Sequence, residues 1–247
     1  MKTAIIIPAR WKSTRFPGKP LHCIAGKPLV QHVWERCCKA RSVDSVIVAT
    51  DDWKIARACF DFGAEVSMTS PKHTTGTDRI AEVAKRLRGF TNILNVQGDE
   101  PLIDPKLIDR LARVLQTKSE VAMVTAACPF KKVSEAENPN NVKVVTDKKG
   151  DALYFSRSII PFDRDGGGGS SFLRHLGIYG YRRDVLLQFV KWKPTPLEEL
   201  EKLEQLRALE YGVKIRVLQT FAGGIGVDTP EDARMAQRLL SKGAKKR

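Results

Sequence analysis

Short apolar runs and amphipathic stripes alternate along the first half of the chain. The β-branched runs Ala4–Ile7, Ser45–Ala49, Glu65–Met68, Asn92–Val96 and Val121–Thr125 predict strands. Between them, Lys27–Arg41 sets Leu29, Val30, Val33, Trp34 and Cys37 on one stripe. Helical patterns follow at Asp52–Phe62, Asp78–Leu87 and Pro105–Leu115, each opening on Asp or Pro as a start signal. Strands alternating with helices predict crossover units and a mainly parallel sheet, buried on both faces. Such sheets place ligands in the loops at the carboxyl ends of their strands.

The second half reads differently. "VKVVTDKKGDALYFS" alternates and turns at Lys149–Gly150, the pattern of a β-hairpin. Gly166–Gly169 reads as a flexible loop and "LGIYGY" as a strand. "TPLEELEKLEQLRALEYG" predicts one strong helix: Thr195 caps it, Pro196 fills the first turn, glutamates crowd its positive end and Gly212 ends it. A strand at Lys214–Leu218 and a helix from Thr229 close the chain. Without an internal repeat or a clear linker, residues 1–247 read as a single α/β domain with a β-rich substrate-side half.

Composition narrows the class. With 247 residues, 42% hydrophobic and 28% charged, the chain is an ordinary globular protein. No apolar run approaches the ~18–20 residues of a membrane span, and the apolar part of the N-terminus is too short for a signal peptide. A cytoplasmic location without integral membrane contact is therefore expected. Five cysteines without CxxC spacing read as reduced thiols. The net charge of +14 admits nucleic acid, an anionic membrane surface or polyanionic small molecules as partners. A nucleic-acid module wants a basic stripe interleaved with aromatics, and the 7% aromatics here are scattered through core patterns, so no nucleic-acid partner is expected.

Three stretches carry chemistry. In "IIIPARWKSTRFPGKP" four cations, Arg10, Lys12, Arg15 and Lys19, follow a buried strand. The loop matches neither GxxxxGK[ST] nor GxGxxG. Gly18 nevertheless allows close backbone approach to an anion, and Arg15 and Lys19 offer charge-assisted bonds to phosphate; a solvated basic loop is the alternative. In "NVQGDEP", Asp99 ends a buried strand. It reads either as part of a turn or as a magnesium ligand working with phosphate oxygens. In "GIGVDTPEDA", Asp228 either caps the following helix or completes a carboxylate pair with Asp99.

Together, "IIPARWKSTRFPGKPL", "VATDD", "HTTGTDR", "NVQGDEP", "NPNNVKVV", "ALYFSRSIIPFDRD", "FLRHLGIYGYR", "PLEELEKLEQLR" and "GVDTPEDA" resemble the 3-deoxy-manno-octulosonate (KDO) cytidylyltransferases, in that family's order from residue 4 to about residue 233. The first and fourth blocks are shared more loosely among sugar nucleotidyltransferases; "YFSR..IP", "RHLGIYGYR" and "LEQLR" point to the KDO enzymes. The resemblance implies a Rossmann-like nucleotide-diphospho-sugar transferase fold: a mainly parallel mixed sheet flanked by helices, with a small β-rich substrate and dimerisation portion. It implies conversion of CTP and KDO to CMP-KDO and diphosphate for lipopolysaccharide synthesis, with Mg2+ as cofactor and a homodimer as the assembly. On this resemblance Arg10, Ser13, Arg15 and Lys19 hold the triphosphate, and Thr75, Gly76 and Arg79 frame cytosine and ribose. Asp99 and Asp228 bind the metal. Gln97, Arg157, Arg164, His175, Tyr179, Glu204 and Gln205 line the KDO pocket, with His175 as a donor to its hydroxyls or carboxylate. Asp78 stands where Glu is common, and Gly166–Gly169 replaces a variable loop.

The residues by themselves leave alternatives beside these roles. A lone histidine before an apolar stretch serves structure as readily as ligand. By periodicity Glu204 falls on a solvated helix face opposite Leu197, Leu200, Leu203 and Leu206. Arg157 and Arg164 could grip a carboxylate bidentately or stay surface cations. Tyr179 alternates with apolar neighbours and could simply pack. The nearest rival is a nucleotidyltransferase for a different sugar.

Overall fold

The computed structural model describes residues 1–11, 16–165, 172–221, 223–224 and 226–244. These fall into two compact units, one formed by Met1–Arg113 with Gly224–Arg247 and the other by Val114–Gly223.

The first unit is built on β1 (Lys2–Ala9), followed by a small hairpin of β2 (Cys23–Ile24) and β3 (Lys27–Pro28) and by α1 (Leu29–Cys37). Then come β4 (Ser45–Thr50), α2 (Trp53–Asp61), β5 (Glu65–Met68), α3 (Gly76–Arg86), β6 (Phe90–Asn95) and α4 (Pro105–Thr117). β6, β1, β4 and β5 lie side by side and all parallel, with Ile5 opposite Val46 on one side and Leu94 on the other. Ala4, Ile5, Ile6 and Ile7 are consecutive and wholly buried, as expected of a parallel strand covered on both faces. The helix predicted from Lys27 begins two residues later, because Lys27 and Pro28 pair with Cys23 and Ile24.

In the second unit, β7 (Met123–Pro129), α5 (Val133–Glu137), β8 (Lys143–Thr146), β9 (Ala152–Ser156) and β10 (Leu173–Arg182) precede α6 (Arg183–Phe189), α7 (Pro196–Glu201), α8 (Gln205–Glu210) and β11 (Ile215–Gln219). β7 runs parallel to β11 and antiparallel to β10; β10, β8 and β9 continue antiparallel. The hairpin predicted around Lys149–Gly150 is β8–β9, closed by Gly150 N–H on the Asp147 carbonyl (3.0 Å).

The single helix expected after Thr195 is two. At its start Thr195 N–H donates to Glu198 Oε2 (3.3 Å), but Lys202 takes a left-handed conformation (φ 53°) and closes α7. The break changes which face is buried: Leu203 and Leu206 enter the core while Leu200 is exposed. The Gly166–Gly169 run lies outside the described residues.

The last helix, α9 (Pro230–Ala244), belongs to the first unit. Val227, Ala233 and Ala236 pack with Ile24 and Leu29, so the segment entering α9 is anchored on the β2–β3 hairpin and α1.

Candidate active site

The carboxyl ends of β1 and β6, the start of α3 and the entry to α9 surround a cavity of about 200 Å³ in the first unit. Its lining includes Arg10, Lys19, Thr75, Gly76, Arg79, Gln97, Asp99 and Asp228, eight residues singled out from the sequence. Ser13 and Arg15 lie outside the described residues.

Each position has a local cause. Gly18 sits at φ 68°, a left-handed turn that L-residues with a Cβ adopt only at a cost. That turn starts the short 3-10 segment Lys19–Leu21 and delivers Lys19 into the cavity. Asp99 lies in a tight turn closed by Glu100 N–H on the Gln97 carbonyl (3.2 Å), so it is both a turn residue and a cavity residue. Gly98 fits because it has no side chain: a Cβ there would stand 2.8 Å from the Pro8 carbonyl oxygen.

Asp228 does not cap α9. Thr229 and Asp232 do: Asp232 Oδ2 accepts from the N–H groups of Asp228 (3.0 Å) and Thr229 (2.8 Å), and Thr229 Oγ1 accepts from Asp232 N–H (3.2 Å). Val227 N–H also bonds the Asp99 carbonyl oxygen (2.8 Å), which stitches the two acidic segments together. The result is convergence. The Lys19 ammonium lies 2.6 Å from Asp99 Oδ2 and 3.1 Å from Asp228 Oδ1. Two carboxylates aimed at one cation and open to a cavity suit a hard divalent ion that takes its other ligands from phosphate and water. Among the described residues no group of three or more His, Cys, Asp or Glu side chains forms a closed metal cage.

Thr75 caps α3, accepting from Asp78 N–H and donating to Asp78 Oδ2, both at 3.0 Å. Asp78, the residue that departs from the family pattern, is thus the partner of the cap. The loop before it is pinned by Glu82, which accepts from Ser70 N–H (2.9 Å) and meets His73 Nε2 (2.5 Å). Burial alone would raise the Glu82 pKa; the bonds from Ser70 and His73 and the Arg86 charge hold it below the usual carboxylate value. Arg10 donates to the Thr74 carbonyl (3.3 Å). Arg79 is only 2% exposed; its guanidinium donates to Asp51 Oδ2 (3.1 Å) beyond β4 and to Thr69 Oγ1 beyond β5. It bolts the first turn of α3 to two strand ends while lining the cavity. Gln97 Nε2 donates to Asn95 Oδ1 (3.1 Å).

The remaining predicted residues belong to the second unit. The His175 ring lies 5.1 Å from that of Phe155 and 5.3 Å from that of Tyr179. Burial pushes the His175 pKa down to about 3, so its imidazole is neutral. Burial likewise raises the Tyr179 phenol well above its ordinary value, with smaller contributions from Tyr181 and Glu204. The Tyr179 hydroxyl and the Gln205 side-chain nitrogen are buried without a hydrogen-bond partner. Glu204 is half-buried at the start of α8. Arg157 donates to the carbonyls of Glu201 (2.7 Å), Pro139 (3.1 Å) and Lys202 (3.4 Å). Arg164 is exposed.

Sequence reasoning missed the supports. Lys143, wholly buried, donates to the carbonyls of Asn141 (2.7 Å), Asn138 (3.3 Å) and Arg157, and burial lowers its pKa. Glu201 accepts from Ser156 Oγ (2.6 Å) and Arg157 N–H (2.9 Å). The motifs "NPNNVKVV", "YFSR" and "PLEELEKLEQLR" contain these residues, but no local pattern says that they meet.

Known proteins resemble the chain over nearly its whole length. The cytidylyltransferase family profile matches residues 4–215. The 3-deoxy-manno-octulosonate cytidylyltransferase of Geobacter sulfurreducens is 53% identical, over 98% of this chain and 99% of its own length. That of Myxococcus xanthus is 49% identical, over 97% and 96%. The solved structure of CMP:2-keto-3-deoxy-manno-octonic acid synthetase complexed with CTP superposes with a TM-score of 0.95 at 40% identity, covering 98% of this chain and all of that one.

Proposed function

The chain belongs to the family of 3-deoxy-manno-octulosonate cytidylyltransferases, and on that premise we propose that it transfers the cytidylyl group of CTP to KDO, forming CMP-KDO and diphosphate for lipopolysaccharide synthesis. The observation that carries this reading within the molecule is the meeting of Lys19, Asp99 and Asp228 at the mouth of a cavity also lined by Arg10, Thr75, Gly76 and Arg79.

The anomeric hydroxyl of the sugar attacks the α-phosphorus in line, and the β,γ-diphosphate leaves. Such a step needs alignment and charge neutralisation more than covalent help. Thr75, Gly76 and Arg79 hold the nucleoside; Arg10, Ser13, Arg15 and Lys19 hold the triphosphate. Lys19 and Arg15 neutralise the charge that grows on the departing diphosphate. Asp99 and Asp228 are the ligands for Mg2+, which when bound neutralises phosphate charge and makes the attacking hydroxyl more acidic. Gln97, Arg157, Arg164, His175, Tyr179, Glu204 and Gln205 orient the acidic sugar; the buried, unpartnered groups of Tyr179 and Gln205 support that role most directly. No side chain is assigned as a dedicated general base.

We place the reaction in the cytoplasm, a reading supported by five cysteines that are all free. The working assembly is a homodimer; exposed Leu153, Phe162, Leu200 and Phe221 give the second unit apolar surface for a partner copy to cover. The deciding assay is diphosphate release from CTP and Mg2+ with a panel of acidic sugars. Release with KDO is expected. Release with N-acetylneuraminic acid and none with KDO would overturn the assignment.

A further inference from the structure

Thr125 lies on β7 and is wholly buried. Opposite it, β10 departs from regular pairing: Leu176 faces Ala126 and Tyr179 faces Thr125, so Gly177 and Ile178 are extra residues. A bulge of this kind strands backbone carbonyls that the ladder would otherwise satisfy. The Thr125 hydroxyl reaches them, 2.8 Å from the Ile178 oxygen and 3.3 Å from the Leu176 oxygen. The same Oγ1 is 3.0 Å from Nε2 of His175.

A hydroxyl has one proton to give and lone pairs with which to accept. Two oxygens 2.8 Å apart need that proton between them, so it is committed to the Ile178 carbonyl. Toward His175 the Thr125 oxygen then only accepts, and Nε2 carries the N–H. The ring is neutral, with its pKa pushed down to about 3 by burial, so Nδ1 holds a bare lone pair. Among the described residues Nδ1 takes no hydrogen bond. Two rings flank the imidazole, that of Phe155 at 5.1 Å and that of Tyr179 at 5.3 Å, and the Tyr179 hydroxyl is buried and unpartnered.

We propose that Thr125 is a positioning residue for the sugar side of the reaction: by accepting the Nε2 proton of His175 it fixes one tautomer and presents Nδ1 as an acceptor for a hydroxyl of the acidic sugar. The inference rests on the assignment of His175 to the KDO pocket, and it reverses the expected direction of the bond, since the histidine accepts where it was expected to donate. It also sets a specificity rule. A hydroxyl facing Nδ1 is matched, whereas a deoxy carbon there leaves the lone pair unpaired and a carboxylate oxygen is repelled.

The test is nitrogen NMR of protein labelled with 15N-histidine. The chain has four histidines, and the His175 signals are identified by their loss in His175→Gln. At neutral pH, wild type and Thr125→Ser are expected to show Nε2 protonated and Nδ1 bare, and Thr125→Val a mixed or reversed pattern. In steady state, Thr125→Val raises KM for KDO about five- to tenfold with KM for CTP unchanged, and Thr125→Ser restores it. A wild-type His175 protonated on Nδ1 overturns the proposal, as does a Thr125→Val protein with the wild-type tautomer and wild-type KM for KDO. Thr125→Val also strips the Ile178 carbonyl of its donor and can unfold β10, so the wild-type and Thr125→Ser spectra decide the matter without it. A wild-type protein that releases no diphosphate from CTP and KDO counts against the assigned reaction; the spectra still decide what Thr125 does.

Discussion

Asp99 and Asp228 lie far apart in the sequence and share one counter-ion, the Lys19 ammonium, at 2.6 and 3.1 Å. Three partly exposed side chains joined this way add little to stability, about 1 kcal/mol at most, because water screens them. Their arrangement serves chemistry: an acidic pair held ready at a phosphate site, with a lysine within reach of both.

Asp99→Asn and Asp228→Asn keep the shape of each side chain and remove its charge. Each is expected to lower diphosphate release about a thousandfold, since the metal's charge stabilisation is worth several kcal/mol. The urea midpoint should barely move. Near-normal release by either variant would remove that residue from the metal site.

Gly98→Ala tests the turn that aims Asp99. The added methyl would meet the Pro8 carbonyl oxygen at 2.8 Å, a backbone contact that only movement of β1 against β6 can relieve. A cost of about 1–3 kcal/mol is expected in chemical denaturation. Activity should fall further than that loss explains, because Gln97 and Asp99 flank the displaced residue; a variant that is destabilised yet fully active would show that the turn does not aim them.

How much of this the sequence discloses depends on the range of the interaction. Ala4–Ile7 is legible as a buried strand because its environment is written in consecutive residues. The break in the helix after Thr195 is not, because leucines at 197, 200, 203 and 206 keep a helical spacing across the left-handed Lys202 and only the exposure of Leu200 betrays it. Spacing alone left Asp99 between turn and ligand, and Asp228 between cap and ligand. Family resemblance made both of them metal ligands, and the structure gives the α9 cap to Asp232 and brings Asp228 to Lys19. Asp51 falls in "VATDD" and Gly98 in "NVQGDEP", but neither motif discloses its role, and Thr69 and Thr125 gave no signal, since each of the four acts on a group that only the tertiary structure brings near.

Asp51 carries the charge that Arg79 needs. With Arg79 2% exposed, Asp51→Ala leaves a buried guanidinium without its carboxylate, and a loss of about 3–5 kcal/mol is expected in urea denaturation. Asp51→Asn keeps a hydrogen bond to the guanidinium and should cost clearly less. Equal losses in the two variants would mean that the carboxylate charge contributes nothing there.

His175 makes a prediction about acid. Its pKa is about 3 in the folded protein and about 6.5 in an unfolded chain, so between those values the unfolded state holds a proton that the folded state lacks. Stability therefore rises with pH across that window. It is undiminished above about pH 6.5, falls as the medium is acidified below that value, and the loss from this group is complete near pH 3. His175→Gln removes the titration and keeps a polar side chain beside Thr125. Unfolding free energies measured from pH 7 to pH 4 should give a slope shallower in the variant by up to about one proton. Parallel slopes would mean that His175 titrates alike in the folded and unfolded protein, so that burial does not lower its pKa.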